Sequence, residues 1–349
     1  MRVLALTTQV PFVRGGAEFL AEGLIRSLIA AGHEAELVAI PFKWYPPDRI
    51  LDHMLACRLL DLSESCGDSI DRVIGLKFPT YLIPHPRKVM WLVHQHRSAY
   101  DLWQSPLDDL SRFPNGTQVR QSIIQADHQA FAESQGNFTI AENVSRRLKQ
   151  FNGVDSTPLY SPPAGAEQFH SAEAADYLFF PSRLNVMKRQ QLVIEALALT
   201  QYSVKVKFAG RSDDLTMRQI LEERIDKLNL GDRVTFLDAI SEADKIDHYA
   251  HCLGVIYPPL DEDYGYVTLE AMLAAKPVIT CTDAGGPLEF VLDQITGLVA
   301  QPQPESLAAA MDQVWDDRQQ AAQWGKAGRD RYDSMNISWN NVVDQLLAV

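Results

Sequence analysis

The stretch EDYGYVTLEAM, Glu262 to Met272, holds two glutamates separated by seven residues, Gly265 among them. An ionised carboxylate only accepts hydrogen bonds, and a vicinal diol offers it two O–H donors at once. A helix is expected to begin near Tyr266, leaving Glu262 in the preceding loop and Glu270 one turn inside. The N–H groups of Gly265, Tyr266 and Val267 would then stand at a helix N-terminus, which favours phosphate. Diol, phosphate, diol is the layout of a nucleotide sugar. On spacing alone the plainer reading leads: Glu262 is an exposed loop acid and Glu270 a surface helix acid.

SRLNVMKRQ supplies two cations. Arg183 falls just past an expected strand and Lys188 at the entry to the next helix, so both project from the strand's carboxyl end. Two such charges can neutralise a departing diphosphate. At ~4 Å and an effective dielectric of ~20, each contact is worth about 4 kcal/mol before desolvation. Arg forks onto two oxygens and Lys acts as a point charge. Taken alone, a solvated basic helix start is the favoured alternative.

RGGAE, Arg14 to Glu18, lies between the first strand and first helix. Gly15 and Gly16 let backbone approach a ligand, and the helix N-terminus behind them suits phosphate. The segment matches neither GxGxxG nor GxxxxGK[ST], and a ligand-free turn is an equal alternative. In WLVHQHR, His94 and His96 close an apolar strand, and alternation would put both rings on one side. No third ligand at telling spacing accompanies them, so no metal site is assigned. His94, directly after the strand, is the better candidate to meet a sugar hydroxyl or reacting phosphate, with a structural histidine as the alternative. CTDAGGPLEFV, Cys281 to Val291, is a second close-approach loop or a tight turn. GxSxG and HExxH are absent from the sequence.

The elements that carry these segments alternate. Val3–Thr7 reads as a strand, and FLAEGLIRSLIAAGH as a helix with Leu20, Leu24, Ile25, Leu28 and Ile29 at helical spacing. AELVAI is the second strand, and DRVIGL, KVMWLV and FTIAE follow before the helical NVSRRLKQF. A proline-containing link runs from Ser161 to Asp176. A second alternating set then extends from Tyr177 to PVITC, with a helix in the last forty residues. Two βα-repeating halves imply an α/β protein of two Rossmann-like, doubly wound parallel-sheet domains facing across a cleft. Ligands of such sheets bind outside the strands' carboxyl ends. The expected domains are 1–165 and 166–329.

The 349 residues carry a net charge of -13, with 16 basic and 19 acidic residues in 1–175 and 16 and 26 in 176–349. Nucleic acid is not an expected partner, because phosphate tracking needs clustered Lys and Arg. The less acidic first half is the better side for an anionic acceptor or a weak peripheral membrane contact. Four cysteines without a CxxC pair disfavour a zinc ribbon and fit a reducing cytoplasm. The opening MRVLALTTQV is too short and polar for a signal peptide. No apolar run reaches the ~18 residues of a membrane span. The expectation is a cytoplasmic protein, at most peripheral at the inner membrane face.

Together and in order, RGGAE, the histidine after WLV, SRL…K, E-x7-E and GGP-x-E resemble the retaining glycosyltransferases of family four, of GT-B fold. The resemblance runs along almost the whole chain and is more specific in the second half. It implies that the second domain holds a nucleotide diphosphate sugar as co-substrate, with Arg183 and Lys188 on the diphosphate, Glu270 on the ribose and Glu262 on the donor sugar. Gly265, Tyr266 and Val267 would meet phosphates and sugar with backbone. Gly15 and Gly16 would approach the phosphates, and His94 would lie near the transferred sugar. The segment from Asp238 to Ile240 would wall the nucleobase. The first domain would take a glycan or lipid-linked acceptor, and the helix at 330–349 would cross back onto it. Catalytic roles fall to His94, Arg183, Lys188 and Glu262, with no cofactor and no metal. Two positions depart from the family pattern: Asp263 and Asp238 stand where glycine is usual. Two other readings share this architecture: a sugar-nucleotide epimerase, which would release free nucleotide without an acceptor, and a non-catalytic sugar-nucleotide binding protein.

Overall fold

A computed structural model describes residues 1–12, 15–212 and 215–349; Arg14 of the RGGAE loop lies outside the described residues. The chain divides into two compact units, Met1–Ala164 with Ile337–Val349, and Gly165–Asn336.

The first unit is built on β1 (Arg2–Gln9), β2 (Glu34–Pro41), β5 (Arg72–Lys77), β6 (Lys88–His94), β7 (Asn137–Thr139) and β8 (Thr157–Pro158). Its helices are α1 (Gly16–Ala30), α2 (Asp48–Leu59), α3 (Gly116–Ala132), α4 (Glu142–Asn152) and α11 (Trp339–Leu347), and β3 (Glu64–Ser65) pairs with β4 (Asp68–Ser69) as a small hairpin. The sheet runs β2-β1-β5-β6-β7-β8, parallel throughout. The order reverses between β1 and β5, so the loops after those strands flank the switch point. Helix α1 buries Leu20, Ala21, Leu24 and Leu28 along one stripe. Gly23 on that helix is needed because a Cβ there would stand 2.3 Å from the Trp339 ring. Trp339 also meets Trp91 edge-on at 6.0 Å, and Val342, Val343 and Leu346 complete the buried face of α11.

The second unit contains β9 (Leu178–Pro181), β10 (Val206–Ala209), β11 (Val234–Phe236), β12 (Gly254–Ile256), β13 (Val278–Cys281) and β14 (Gly297–Ala300). Its sheet runs β11-β10-β9-β12-β13-β14, again parallel. Counted along this unit the order is 3-2-1-4-5-6, that of dinucleotide-binding folds, with the switch between β9 and β12. Helices α5 (Gln190–Leu197), α6 (Leu215–Lys227), α7 (Glu242–His251), α8 (Tyr266–Leu273), α9 (Pro304–Asp316) and α10 (Arg318–Ser334) accompany the strands. The core strands read as continuous apolar runs, with Leu178, Phe179 and Phe180 fully buried, as expected of parallel strands covered on both faces.

One expectation changes. The helix anticipated at 330–349 is two helices: α10 ends at Ser334 in the second unit, and only the α11 segment belongs to the first. Asn336, with φ +51, supplies the left-handed residue that commonly ends a helix. No helix among the described residues is long and apolar enough to cross a membrane.

Candidate functional site

Two loops at the β9/β12 switch bring cations and acids together. After β9, Ser182 and Arg183 lead into a short turn, Val186–Lys188, whose start is capped by Asn185 Oδ1 accepting the Lys188 N–H at 3.1 Å. After β12, the chain runs from Tyr257 through Glu262 to Gly265. The Leu260 N–H donates to the Met187 carbonyl at 2.7 Å and ties the two loops. Lys188 Nζ donates to Tyr257 Oη at 3.1 Å and to Glu262 Oε2. The Tyr257 hydroxyl is raised well above its usual range, first by burial and then by Glu262 and Glu270, while Arg183 works in the opposite direction. The buried Tyr257 hydroxyl thus accepts from Lys188 and lies in the field of Glu262, Glu270 and Arg183. Arg183 is exposed, and its carbonyl accepts from Gln190 Nε2 at 2.9 Å.

The GGP segment holds the Glu262 loop from the other side. Glu262 N–H donates to the Ala284 carbonyl and Gly286 N–H to the Glu262 carbonyl, each at 2.8 Å. A Cβ on Gly286 would stand 2.5 Å from the Tyr264 carbonyl oxygen and 2.8 Å from that of Asp263. The segment is therefore a close-approach loop, and what it approaches is the Asp263–Tyr264 backbone. Arg189, at φ +59, makes a bidentate pair with Asp283 at 2.7 Å per contact beside it.

Gly265, at φ +87, precedes α8 and turns the chain into the helix. The N–H groups of Gly265, Tyr266 and Val267 stand at the turn, where a helix has no carbonyls of its own to offer them. Glu270 faces inward and is 7% exposed. Its Oε1 accepts from Lys245 Nζ at 2.9 Å and its Oε2 from Tyr249 Oη at 2.6 Å. Burial works against the Lys245 charge, but Glu270 and Glu242 outweigh it and raise its pKa. The surface-acid reading of Glu270 is thereby excluded. Two donors leave lone pairs on both oxygens for further hydroxyls.

Asp238 adopts φ +53. This is the left-handed conformation that glycine fits best and Asp tolerates. Its carbonyl accepts the Gly210 N–H at 2.7 Å, and its exposed carboxylate pairs with Arg218 at 2.9 Å. Ile240 is half-buried, just ahead of Ser241, which caps α7 at the Asp244 N–H.

The remaining expected residues belong to the first unit. Gly15 precedes α1 in an extended conformation, and its N–H donates to Glu18 Oε2 at 2.8 Å. Glu18 also lies 3.5 Å from Lys77. The donor that Gly15 would offer a phosphate is thus occupied by a carboxylate three residues on; Gly16 begins the helix. His94 is the last residue of β6, and its Nδ1 lies 2.6 Å from the Gln95 carbonyl. A carbonyl only accepts, so Nδ1 carries the hydrogen. The strand ends there, so the alternation expected to align His96 with His94 stops short. His96 instead packs against Phe78 at 5.3 Å and Phe42 at 6.3 Å. Burial pushes its pKa down to about 4. It is a neutral wall residue. Among the described residues no group of three or more His, Cys, Asp or Glu could hold a metal ion.

Residues 166–331, nearly the whole of the second unit, match the family described as glycosyl transferases group 1. The match covers just under half of the chain, and the second unit is similar to that family. The alpha-1,3/1,6-mannosyltransferase ALG2 of Mus musculus is 34% identical over 143 residues, covering 40% of this chain and 34% of that protein. The chain spans between 29 and 44% of the length of the first four curated relatives. Over the whole chain the fold is that of sucrose-phosphate synthase from Thermosynechococcus elongatus, at TM-score 0.78 and 17% identity, covering 99% of this chain and 97% of that one. The fold is also like that of Anabaena HepE solved with UDP-glucose, at TM-score 0.72 and 18% identity, with 99% and 98% covered.

Within the second unit, Tyr257, Lys245, Tyr249 and the Arg189–Asp283 pair escape sequence reasoning. Each is a single polar residue at no telling spacing. Only the LGVIYPPLDED segment carries a hint, because Tyr257 directly follows an apolar strand at the switch.

Proposed function

We propose that the protein moves a sugar from a nucleoside diphosphate sugar onto a hydroxyl of a glycan or lipid-linked acceptor, with retention at the anomeric carbon. The group 1 unit takes the donor and the Met1–Ala164 unit the acceptor. The observation that carries this reading is Lys188, held by Tyr257 and Glu262 at the β9/β12 switch. An ammonium has three donors, and two are used here. The third suits a phosphate oxygen. The HepE structure with UDP-glucose supports the donor class. The mannosyltransferase relatives support transfer of a hexose in glycan synthesis.

When the bond from anomeric carbon to diphosphate oxygen breaks, positive charge grows on the sugar ring and negative charge on the departing oxygen. Lys188 and Arg183 stabilise the latter. Preorganised charges of this kind supply a large share of catalysis. Glu270, fixed by Lys245 and Tyr249, accepts the ribose diol, and Glu262 accepts donor-sugar hydroxyls while orienting Lys188. The α8 turn at Gly265, Tyr266 and Val267 offers N–H groups to the phosphates. Asp238 and Ile240 flank the base. His94 is the candidate to meet a hydroxyl of the transferred sugar. Side-chain cations carry the leaving-group charge, so the reaction proceeds without a divalent metal.

A thermal-shift panel of UDP, GDP, ADP and their sugars tests the reading, since specific binding raises the midpoint by mass action. One nucleotide family should raise it, and the sugar form should be slowly hydrolysed. A flat panel contradicts the proposal. Release of free nucleotide with epimerised sugar in place of transfer redirects it to an epimerase.

A further inference from the structure

The first unit holds an aromatic pocket outside the group 1 site. A cavity of about 320 Å³ is lined by Val10 and Pro11 after β1, by Pro41 to Tyr45 after β2, and by His53 of α2. It therefore lies at the carboxyl ends of two parallel strands, where ligands of such sheets bind. Trp44 and Tyr45 meet at 84° with centroids 5.2 Å apart, and Phe42 lies 6.4 Å from Trp44 and 5.4 Å from His53. The wall is thus folded, with rings at several angles.

Polar groups are set among these rings. Lys43 Nζ sits 5.0 Å from the Tyr45 ring centre. The Lys43 backbone N–H donates to His53 Nε2 at 3.3 Å, so the other ring nitrogen, Nδ1, carries the donor hydrogen. The indole N–H of Trp44 makes no hydrogen bond among the described residues.

We infer that this pocket binds a pyranose ring of the acceptor, stacked on Trp44 and Tyr45 with its hydroxyls turned to Lys43 and His53. A pyranose has one face of C–H groups carrying slight positive charge, which suits the negative face of an aromatic ring. Its rim of hydroxyls needs polar partners when buried. An acyl chain would use the rings but leave the Lys43 ammonium and two ring N–H groups against hydrocarbon. The Phe42 wall also touches the His96 ring, two residues from His94. The name acceptor rests on the glycosyltransferase reading; binding of a sugar here does not.

The test is fluorine NMR on the full chain labelled with 5-fluorotryptophan. The six tryptophans give six signals, with Trp44 assigned from Trp44→Phe. Probes are methyl α-D-glucopyranoside, methyl α-D-mannopyranoside and n-dodecyl phosphate. The Trp44 signal should move in a saturable way with at least one glycoside. Tyr45→Ala, at a side chain already 55% exposed and so without risk to folding, should weaken that response roughly threefold to tenfold. A response to dodecyl phosphate alone overturns the inference in favour of a lipid site, and no response to any probe overturns it outright. Nucleotide binding is read separately by the thermal-shift panel. Sugar binding with a flat panel would keep this pocket and remove the transferase reading; the converse would do the opposite.

Discussion

Lys188 Nζ donates to Glu262 Oε2, across 74 residues of chain. The two groups that sequence reading assigns to different parts of one ligand are therefore direct partners. Their side chains are only 16% and 23% exposed, so each restricts the other's rotamers. Glu262 is thereby a positioning group for the cation.

Lys188→Ala and Arg183→Ala should each lower turnover by at least ~10²-fold, the range for losing one charge-stabilising donor. Initial-rate assays with the donor found in the nucleotide panel check this. A wild-type rate in either variant removes that residue from the leaving-group role.

Glu270→Ala should weaken nucleoside diphosphate binding by ~10- to 100-fold, the cost of a charged hydrogen-bond acceptor. Lys245→Met should raise the donor KM while moving kcat less, because Lys245 acts by holding Glu270 in place. Titration calorimetry and steady-state kinetics read the two effects. Equal losses in kcat and KM for Lys245→Met would mean a wider collapse of the site.

Gly286→Ala should destabilise the chain by about 1–3 kcal/mol, because its Cβ would meet backbone oxygens that have no room to yield. The measurement is Tm with the donor nucleotide absent and present. A variant as stable and as tightly bound as the parent would show that the Asp263–Tyr264 loop is not held by this contact.

Asp127 gives a pH dependence of opposite sign to the usual carboxylate. Burial pushes its carboxyl up to about 7, against the pull of the Tyr100 and Tyr81 hydroxyls, which donate at 2.6 and 2.9 Å. Its folded pKa lies above the unfolded value of about 3.9. The associated stability is full below pH ~4 and is lost as pH rises through about 7, at most about 4 kcal/mol in all. Tm measured from pH 4.5 to 8 should decline for the parent and stay flatter for Asp127→Asn. Parallel curves would mean Asp127 ionises normally.

The same residue explains what the sequence hid. In α3 the buried positions Val119, Ile123, Asp127, Ala130 and Phe131 form one stripe, but a carboxylate sits in its middle and breaks the apolar period. Helix α2 is similarly obscured, burying only Ile50, Met54 and Cys57. By contrast, the strands buried on both faces are unbroken apolar runs and were legible. The α8 turn was legible too, since Gly265 and the two glutamates are close in sequence. The partners Tyr257, Lys245 and Tyr249 were not, because sheet order rather than spacing delivers them. The partner of the Gly15 N–H lies in the same motif: Glu18 accepts from it.

If Lys188 and Arg183 carry the leaving-group charge, as proposed, chelation should leave transfer intact. Assays in excess EDTA check this. A complete loss restored by Mg²⁺ or Mn²⁺ would place a metal in that role.

The most direct test of the central claim compares a nucleoside with its diphosphate, by titration into the parent chain and into Lys188→Ala. In the parent the diphosphate should add a large gain in affinity over the nucleoside. In the variant that gain should shrink by at least ~tenfold, with nucleoside affinity unchanged. An undiminished gain in the variant would contradict the claim that Lys188 grips the diphosphate.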